Sequence, residues 1–454
     1  MRVAAVLTAV LAATCTLPAV ADPANAACVE AGQQLRYVVL FDRGTSQTQA
    51  QTEITASCGT TSVYYPQIAV AVANGDPDFG DRFGSDRAFS AQAAGKQAGA
   101  KKADETTRAP RRASVPSTDR TDEQWDMAMI NADAAHEITE GSRNVVVGVL
   151  DSGIDATHPD LRAAVDPNLS AGCATGKADT SPAAWAPGKS AHGTHVAGTI
   201  AAADDGKGIT GVAPGVRLAS VKVVDDTGHI YPEYAICGFM WAAEERMTIT
   251  NSSYFVDPWL FTCSRSGQRV VRDALSRAVT YASGRGVLNV AAATNENVDM
   301  ANPPDPSCRV LPAGLRGVLA VSSVGQDKLK AGYSAYGLGV IDVTAPGGEQ
   351  RRGHSDPDSG CILSTVPGGY ARYCGTSMAA PHVSGVLALL ASTHPGASPT
   401  SLTRMLNNQA ESVPCPADYD LNGTGTQDAY CSGYAPYNGF YGHGLVNALA
   451  AVTD

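Results

Sequence analysis

Short, mostly apolar runs alternate with helical stretches through most of this chain, from about residue 121 to residue 454. Residues 145–150 form a continuous apolar run, and further candidate strands cover residues 217–224, 247–252, 286–293, 318–324 and 339–343. In the stretch 268–284, apolar residues recur at helical spacing on one face: Val271, Leu275, Ala278 and Ala282. Strands that are apolar on both faces and alternate with helices are typical of a parallel sheet covered on each side. The sequence therefore predicts an α/β fold, a three-layer sandwich with a mostly parallel central sheet.

The first of these runs ends abruptly at an acidic residue, Asp151. In open parallel sheets the ligand site lies beyond the carboxyl ends of the strands. Asp151 stands at the carboxyl end of its predicted strand, so it is the first candidate for a functional residue.

Composition and charge exclude several classes of protein. Apolar residues make up 44% of the 454 residues, which is too many for a disordered chain. The net charge of −11 leaves no basic field to hold nucleic acid or an anionic membrane. We therefore expect no nucleic-acid or membrane partner.

Residues 1–21 have the pattern of a secretory signal peptide, with a buried first helix as the alternative. Arg2 supplies a positive start, residues 3–17 form an apolar run, and residues 19–21 are a small-residue cleavage site. The chain has 11 cysteines, and removing Cys15 with the signal leaves an even number, as expected in an oxidising compartment. The sequence therefore predicts a secreted, extracellular protein.

Three glycine-containing stretches supply the residues that nucleophilic acyl transfer needs. They are Asp151 in Val-Leu-Asp-Ser-Gly, His192 in His-Gly-Thr-His, and Ser377 in Gly-Thr-Ser-Met. A serine hydroxyl needs an adjacent imidazole to accept its proton. The imidazole needs a carboxylate to fix its tautomer and to stabilise its cationic form.

The order Asp, His, Ser and the three motifs together resemble the subtilisin family of serine peptidases, over about residues 122–454. The resemblance implies that Asp151 orients the base, that His192 is the general base, and that Ser377 is the nucleophile at the start of a helix. It also implies that Asn295 supplies the side-chain half of the oxyanion hole. Thr294 stands where the family usually has glycine, and a β-branched residue accepts a positive φ poorly, so the backbone there is expected to be strained or different.

The remaining residues of these motifs are interpreted as structural. His195 lies three residues beyond the base, inside the predicted helix, and His382 is expected to pack on the helix of the nucleophile. Pro381 is expected near the opening turn of that helix, where proline is tolerated.

The resemblance further implies that a peptide substrate binds as an added strand between two edge segments. Ser253 lies in one segment and is followed by Tyr254 and Phe255 in place of the usual Leu-Gly, which predicts a bulkier wall near the specificity pocket. Gly228 lies in the segment expected at the opposite edge, residues 226–231. Ordinary loop packing is the alternative for both segments.

Many relatives also hold a structural calcium ion, and Asp160 and Asp205 occupy matching places in this chain. Carboxylate oxygens suit calcium, but surface aspartates are often only solvated. No cofactor is expected for the chemistry itself.

The leading part of the chain faintly resembles the inhibitory pro-segments of such enzymes, with an independent, permanently attached small domain as the alternative. The predicted organisation is a signal peptide at 1–21, a small α+β pro-segment and linker at 22–112, and a catalytic domain at 113–454. Cys28 and Cys58 fall inside the leading block and are expected to pair. Local loops favour two further pairs and elimination leaves two more: Cys361–Cys374, Cys415–Cys431, Cys263–Cys308 and Cys173–Cys237.

These observations predict a secreted serine endopeptidase, made as a self-processed proenzyme and acting on polypeptides as a monomer. Its own pro-segment would be an intramolecular inhibitor. Other acyl transfers on the same triad, such as peptide ligation or ester hydrolysis, remain open. A degenerate binding protein is the third alternative, and the intact set of Asp151, His192, Asn295 and Ser377 argues against it.

Overall fold

The computed structural model describes residues 28, 32–98, 118–265, 267–350 and 360–453. The predicted signal peptide and the predicted boundary near residue 112 lie outside these ranges. Within them, no helix combines the length and the apolar character needed to cross a membrane.

A small α+β block precedes the main domain, as the sequence predicts. Its strands form an antiparallel sheet in the order β2-β3-β1-β4. Its elements are β1 (Leu35–Leu40), α1 (Gln47–Ala56), β2 (Thr60–Tyr65), β3 (Val70–Gly75), α2 (Phe79–Phe83), β4 (Ala88–Phe89) and α3 (Ala91–Ala98). Between Val63 and Val70 the chain completes β2, makes a turn and begins β3.

The main domain is built on a seven-stranded sheet in the order β11-β10-β9-β8-β5-β7-β6, and all of its strand pairs are parallel. Its strands are β5 (Val146–Asp151), β6 (Ala171–Gly172), β7 (Arg217–Lys222), β8 (Ile249–Ser252), β9 (Leu288–Ala292), β10 (Val318–Val324) and β11 (Val343–Pro346). The chain runs from β5 to β7 on one side and returns to β8 on the other. The strand order thus reverses beside β5, which is where a parallel sheet forms its ligand crevice.

Helices cover both faces of this sheet. Those of the main domain are α4 (Trp125–Met129), α5 (Ala132–His136), α6 (Pro182–Trp185), α7 (His192–Ala201), α8 (Pro232–Glu244), α9 (Gln268–Gly284), α10 (Thr376–Thr393), α11 (Pro399–Gln409) and α12 (Ala448–Thr453). Alternate residues of β5 enter different cores: Val147 and Val149 pack with α7 and α10, whereas Val146 and Leu150 pack with α8 and α9. The predicted three-layer α/β architecture is therefore confirmed.

Two short hairpins complete the domain. The first, β12 (Ile362–Val366) with β13 (Gly369–Tyr373), leads directly into α10. The second, β14 (Gly433–Tyr434) with β15 (Tyr437–Asn438), lies in the C-terminal excursion, which we define as residues 412–441.

The cysteines of the described residues pair as the sequence predicts. The five disulfides are Cys28–Cys58, Cys173–Cys237, Cys263–Cys308, Cys361–Cys374 and Cys415–Cys431. The last of them closes the C-terminal excursion.

A buried lysine joins that excursion to the rest of the domain. The Lys330 side chain has no exposed surface, and its ammonium donates to the Asn297 side chain at 3.0 Å and to two main-chain oxygens at 3.0 and 2.7 Å. Aromatic rings lie 5.1–5.4 Å from the ammonium, namely Tyr336, Tyr419 and Phe440. Because a buried cation is costly unless it is bonded, these groups offset its desolvation.

The leading block packs on helices α8 and α9 through polar contacts at its rim. The Arg277 guanidinium donates to the main-chain oxygens of Phe41 at 2.9 Å and of Ile68 at 3.0 Å. Arg36 forms an ion pair of 3.1 Å with Glu233, whose pKa is raised by burial. The block therefore contacts the two helices that lie on the face of the sheet opposite α7 and α10.

Candidate active site

Asp151 and His192 form a buried pair at the carboxyl end of β5. Asp151 is the last residue of β5, and His192 is the first residue of α7. The His192 Nδ1 atom lies 2.9 and 3.0 Å from the two carboxylate oxygens of Asp151. A carboxylate only accepts hydrogen bonds, so the proton of neutral His192 is on Nδ1 and its lone pair is on Nε2. This is the tautomer that a general base requires.

Ser377 is the second residue of α10, and its main-chain N–H is therefore one of those that have no acceptor within the helix. Its Oγ donates to the main-chain oxygen of Ser253 at 3.0 Å, and the Ser253 hydroxyl donates to the Ser377 oxygen at 2.8 Å. This reciprocal pair joins the start of α10 to the segment that follows β8.

Pro381 explains why the Ser377 oxygen accepts a bond from outside the helix. The sequence places this proline near the opening turn, but Pro381 is the sixth residue of α10, so that expectation is wrong. A proline has no N–H, and the oxygen four residues earlier loses its helical donor. That oxygen belongs to Ser377, and the Ser253 hydroxyl takes the place of the missing donor.

Asn295 is held in a single orientation at the start of α10. Its Oδ1 accepts from the main-chain N–H and from the hydroxyl of Thr376, both at 2.9 Å. Because the N–H can only donate, the amide oxygen faces Thr376 and the Nδ2 group faces the opposite way. A Cβ on Gly375 would lie 3.2 Å from Nδ2, so glycine keeps this space open. The Asn295 amide and the Ser377 N–H can thus both donate to an oxyanion.

Thr294 adopts a positive φ of 114°, so of the two outcomes expected at this position the structure has the strained backbone. We expect Thr294→Gly to stabilise the protein by about 1 kcal/mol, because relief of roughly 1–3 kcal/mol of strain exceeds the entropic cost of glycine. Equilibrium denaturation measures the difference, and Thr294→Ala, which keeps the Cβ, is the control. If Thr294→Gly were no more stable than Thr294→Ala, the positive φ at this position would not be strained.

The other two histidines of the motifs are buried and structural. His195 is fully buried, bonds to the main-chain oxygens of Ile362 and Ala371 at 3.1 Å, and has its pKa lowered to about 3, mainly by burial. His382 bonds to Asp126 at 2.9 Å and to the Met378 oxygen at 2.8 Å. Asp126 is a residue that the sequence does not predict, because its only signal is a carboxylate within an otherwise apolar first turn.

The residues expected to contact substrate lie on two loops near the carboxyl ends of the strands. Ser253 bonds to Ser377, as described above, and Tyr254 beside it is half-buried with its hydroxyl buried, so that its pKa is raised. Phe255 is half-buried. Gly228 has a φ of 84° in a tight turn, where its N–H donates to the Asp225 oxygen at 3.0 Å. Their roles in substrate binding stay predictions.

The two aspartates expected to bind calcium differ in their surroundings. The Asp160 Oδ2 atom accepts from Ile209 N–H at 3.2 Å and from the Tyr370 hydroxyl at 2.9 Å, and burial raises the pKa of this carboxyl group. Asp205 is exposed. Protein donors thus occupy one of the two carboxylate oxygens of Asp160. Elsewhere in the described ranges, one group of three residues that could bind a metal lies close together, namely Cys263, Asp305 and Cys308. The two cysteines of this group form a disulfide.

A buried Asp–His pair, a serine at a helix start and an oriented amide, set at the carboxyl ends of parallel strands, are the parts of a serine hydrolase. The subtilase family profile matches residues 142–444. The chain is 34% identical over 328 residues to the subtilisin of Bacillus pumilus, covering 72% of this chain and 98% of that protein. It is 33% identical over 330 residues to fervidolysin of Fervidobacterium pennivorans, covering 67% of this chain and 42% of that protein. The chain belongs to the subtilase family of serine-type endopeptidases.

Solved structures support the same fold. The epidermin leader peptide processing serine protease of Staphylococcus aureus has a TM-score of 0.69 at 20% identity, covering 93% of this chain and 98% of that one. A protease of Pseudoalteromonas arctica has a TM-score of 0.56 at 30% identity, covering 75% of this chain and 99% of that one. The resemblance to the subtilisin family is therefore confirmed.

Proposed function

We propose that this chain hydrolyses peptide bonds in proteins through a covalent acyl-enzyme formed on Ser377. The observation that carries the proposal is the buried Asp151–His192 pair, with the His192 Nδ1 2.9 Å from the carboxylate. In the first step the Ser377 Oγ bonds to the carbonyl carbon and His192 Nε2 takes the hydroxyl proton. His192 then gives that proton to the leaving amine as the peptide C–N bond breaks, and water releases the acyl group by the reverse sequence.

During both steps the negative charge of the carbonyl oxygen needs donors that are already in place. The Asn295 Nδ2 group and the Ser377 N–H supply them, and the Asn295 side chain is held by its two bonds to Thr376. Asp151 stabilises the cationic form of His192.

A cleavage profile of the full chain on a peptide library, read with a serine-directed covalent probe, tests this function. We expect internal cleavage of peptides and labelling of Ser377 by the probe. Labelling without hydrolysis would instead favour ligation or binding, and hydrolysis with the label on another serine would refute the assignment of the nucleophile.

Asn295→Ala is expected to lower kcat by roughly 10²–10³-fold, because the oxyanion loses one of its two donors. The loss is measured on a soluble peptide substrate at saturation. Asn295→Asp is the matched control, since it keeps an acceptor for Thr376 but has no N–H to donate. If Asn295→Asp retained full activity, Asn295 would hold Thr376 in place without acting on the oxyanion.

We further propose that residues 22–112 form an inhibitory pro-segment and that the protein is secreted. The contacts of Arg277 and Arg36 join the leading block to helices α9 and α8, which supports docking of the pro-segment on the main domain. The five disulfides support an oxidising compartment. Mass spectrometry of the protein in the culture medium should find chains that begin near residue 22 before maturation and near residue 113 after it. A fully active extracellular chain that keeps residues 22–112 would contradict the pro-segment.

Calcium binding by Asp160 and Asp205 also stays a proposal, and chelation tests it. A bound ion stabilises the folded state by mass action, so removal of calcium with EDTA would lower the melting temperature if the site forms. Asp205→Asn is the matched control, because a protein without this carboxylate should no longer respond to chelation. An unchanged melting temperature in EDTA would refute the calcium site.

A further inference from the structure

The two loops expected to flank the substrate are bonded to each other at one point. Asp257 donates its main-chain N–H to the Ile230 oxygen at 2.9 Å. Ile230 in turn donates its N–H to the Asp257 Oδ2 atom at 2.7 Å. Both main-chain polar groups of Ile230 are thus used by a single residue of the opposite loop.

The position of this contact sets the length of the groove between the loops. Ser253 bonds to Ser377 and so marks the end at which a peptide would be cleaved. Asp257 lies four residues further along the same segment. An extended chain advances about 3.3 Å per residue, so the two points are at most roughly 13 Å apart, and three residues of the segment lie between them. A substrate strand that runs alongside this segment therefore has room for about three residues between the two points.

Both loops are held in place beyond the contact itself. The Val256 N–H donates to the Leu311 oxygen at 2.9 Å, which anchors the segment of Asp257. On the other loop, the Asp225 Oδ1 atom accepts from the N–H of Thr227 at 2.8 Å and of His229 at 3.1 Å. Bonds other than those between Ile230 and Asp257 therefore help to fix both loops in place.

We propose that Asp257 is a specificity-determining residue that closes the groove about three residues before the scissile bond. A strand added between two edges binds through main-chain N–H and C=O groups. At Ile230 those groups are already bonded, so a longer substrate must leave the groove at this point. The enzyme then selects substrates by the three residues that precede the cleaved bond and not by the fourth. This inference rests on the proposed peptidase function.

Acylated peptides of increasing length test the closure in the unaltered protein. The substrates share the same three residues before a chromogenic leaving group and carry none, one or two further residues at the acylated end. We expect kcat/KM to change by less than about twofold along the series. A rise of tenfold or more on adding the fourth residue would overturn the proposal. If none of these substrates is hydrolysed, the proposed function fails rather than the closure.

Two substitutions at the same position then assign the closure to the carboxylate. Asp257→Ser removes the acceptor from Ile230, and we expect the fourth residue to raise kcat/KM by about tenfold, the value of one recovered hydrogen bond of about 1.4 kcal/mol. Asp257→Asn keeps an acceptor oxygen and should stay insensitive to length. If kcat/KM of a folded Asp257→Ser protein also did not change with substrate length, the carboxylate would not be what closes the groove.

Discussion

Ser377→Ala is expected to lower turnover by about 10⁶-fold, the size of the loss known for the nucleophile of subtilisin. Without the hydroxyl no acyl-enzyme can form. The Asn295 amide and the main-chain N–H of residue 377 can then stabilise only the direct attack of water on the substrate carbonyl. Hydrolysis of a chromogenic peptide measures the loss. In the full chain the same substitution should also stop removal of residues 22–112, which gel electrophoresis of the secreted protein would show.

The matched control is Ser392→Ala on the same helix. Ser392 lies near the end of α10, where its hydroxyl accepts from the Ser142 N–H at 2.9 Å, so its loss should leave turnover unchanged. A Ser377→Ala protein that still processes itself in isolation would contradict the assignment of the nucleophile. A loss of the same size in Ser392→Ala would point to damage of the whole helix instead.

Asp151→Asn is expected to lower kcat by about 10⁴-fold while leaving the fold intact. The Asn amide would donate to His192 Nδ1, and the proton of the imidazole would move to Nε2, where the base must instead offer its lone pair. Steady-state kinetics on a peptide substrate measures the loss. If the kcat of this variant were within tenfold of that of the unaltered protein, another group would have to orient His192.

Asp126→Asn is the natural comparison, since the chain holds a second buried Asp–His pair. Asp126 bonds to His382 at 2.9 Å, and both residues are fully buried. We expect this substitution to lower the free energy of unfolding by about 1–3 kcal/mol, the range for a buried polar group that loses its hydrogen-bond partner. Its kcat should stay within a few-fold of the unaltered protein, because this pair does not contact the serine hydroxyl.

Most of the sheet could be predicted from the sequence because its longer strands are buried on both faces and are mostly apolar, as in β5 and β10. Strand β10 and helix α9 agree residue by residue with the predicted 318–324 and 268–284. The exception is the predicted strand at 339–343, whereas β11 is Val343–Pro346. Ile341 is buried in the core but lies in a turn, where its N–H bonds to the Gly337 oxygen at 3.1 Å. Apolar character alone does not separate a buried turn from a strand.

The candidate site also contains residues that could be predicted from the sequence and residues that could not. Asp151, His192 and Ser377 could be predicted because each lies in its own local motif, and the structure brings them to one edge of the sheet. Asp126 could not be paired with His382, because 256 residues separate them. The bond between Ile230 and Asp257 uses main-chain groups of Ile230, which side-chain patterns do not encode.

The surroundings of Lys330 bear on how the chain is made by the ribosome. Two of the rings around its ammonium, Tyr419 and Phe440, come far later in the chain than Lys330 itself. A growing chain that has passed Lys330 must therefore keep this cation hydrated until residues 419 and 440 emerge. The lysine also bonds to Asn297, which lies two residues from Asn295 in the loop after β9. Completion of the loop that carries Asn295 is thus tied to the synthesis of residues 419–440, so this loop cannot reach its final packing while Lys330 is still newly made.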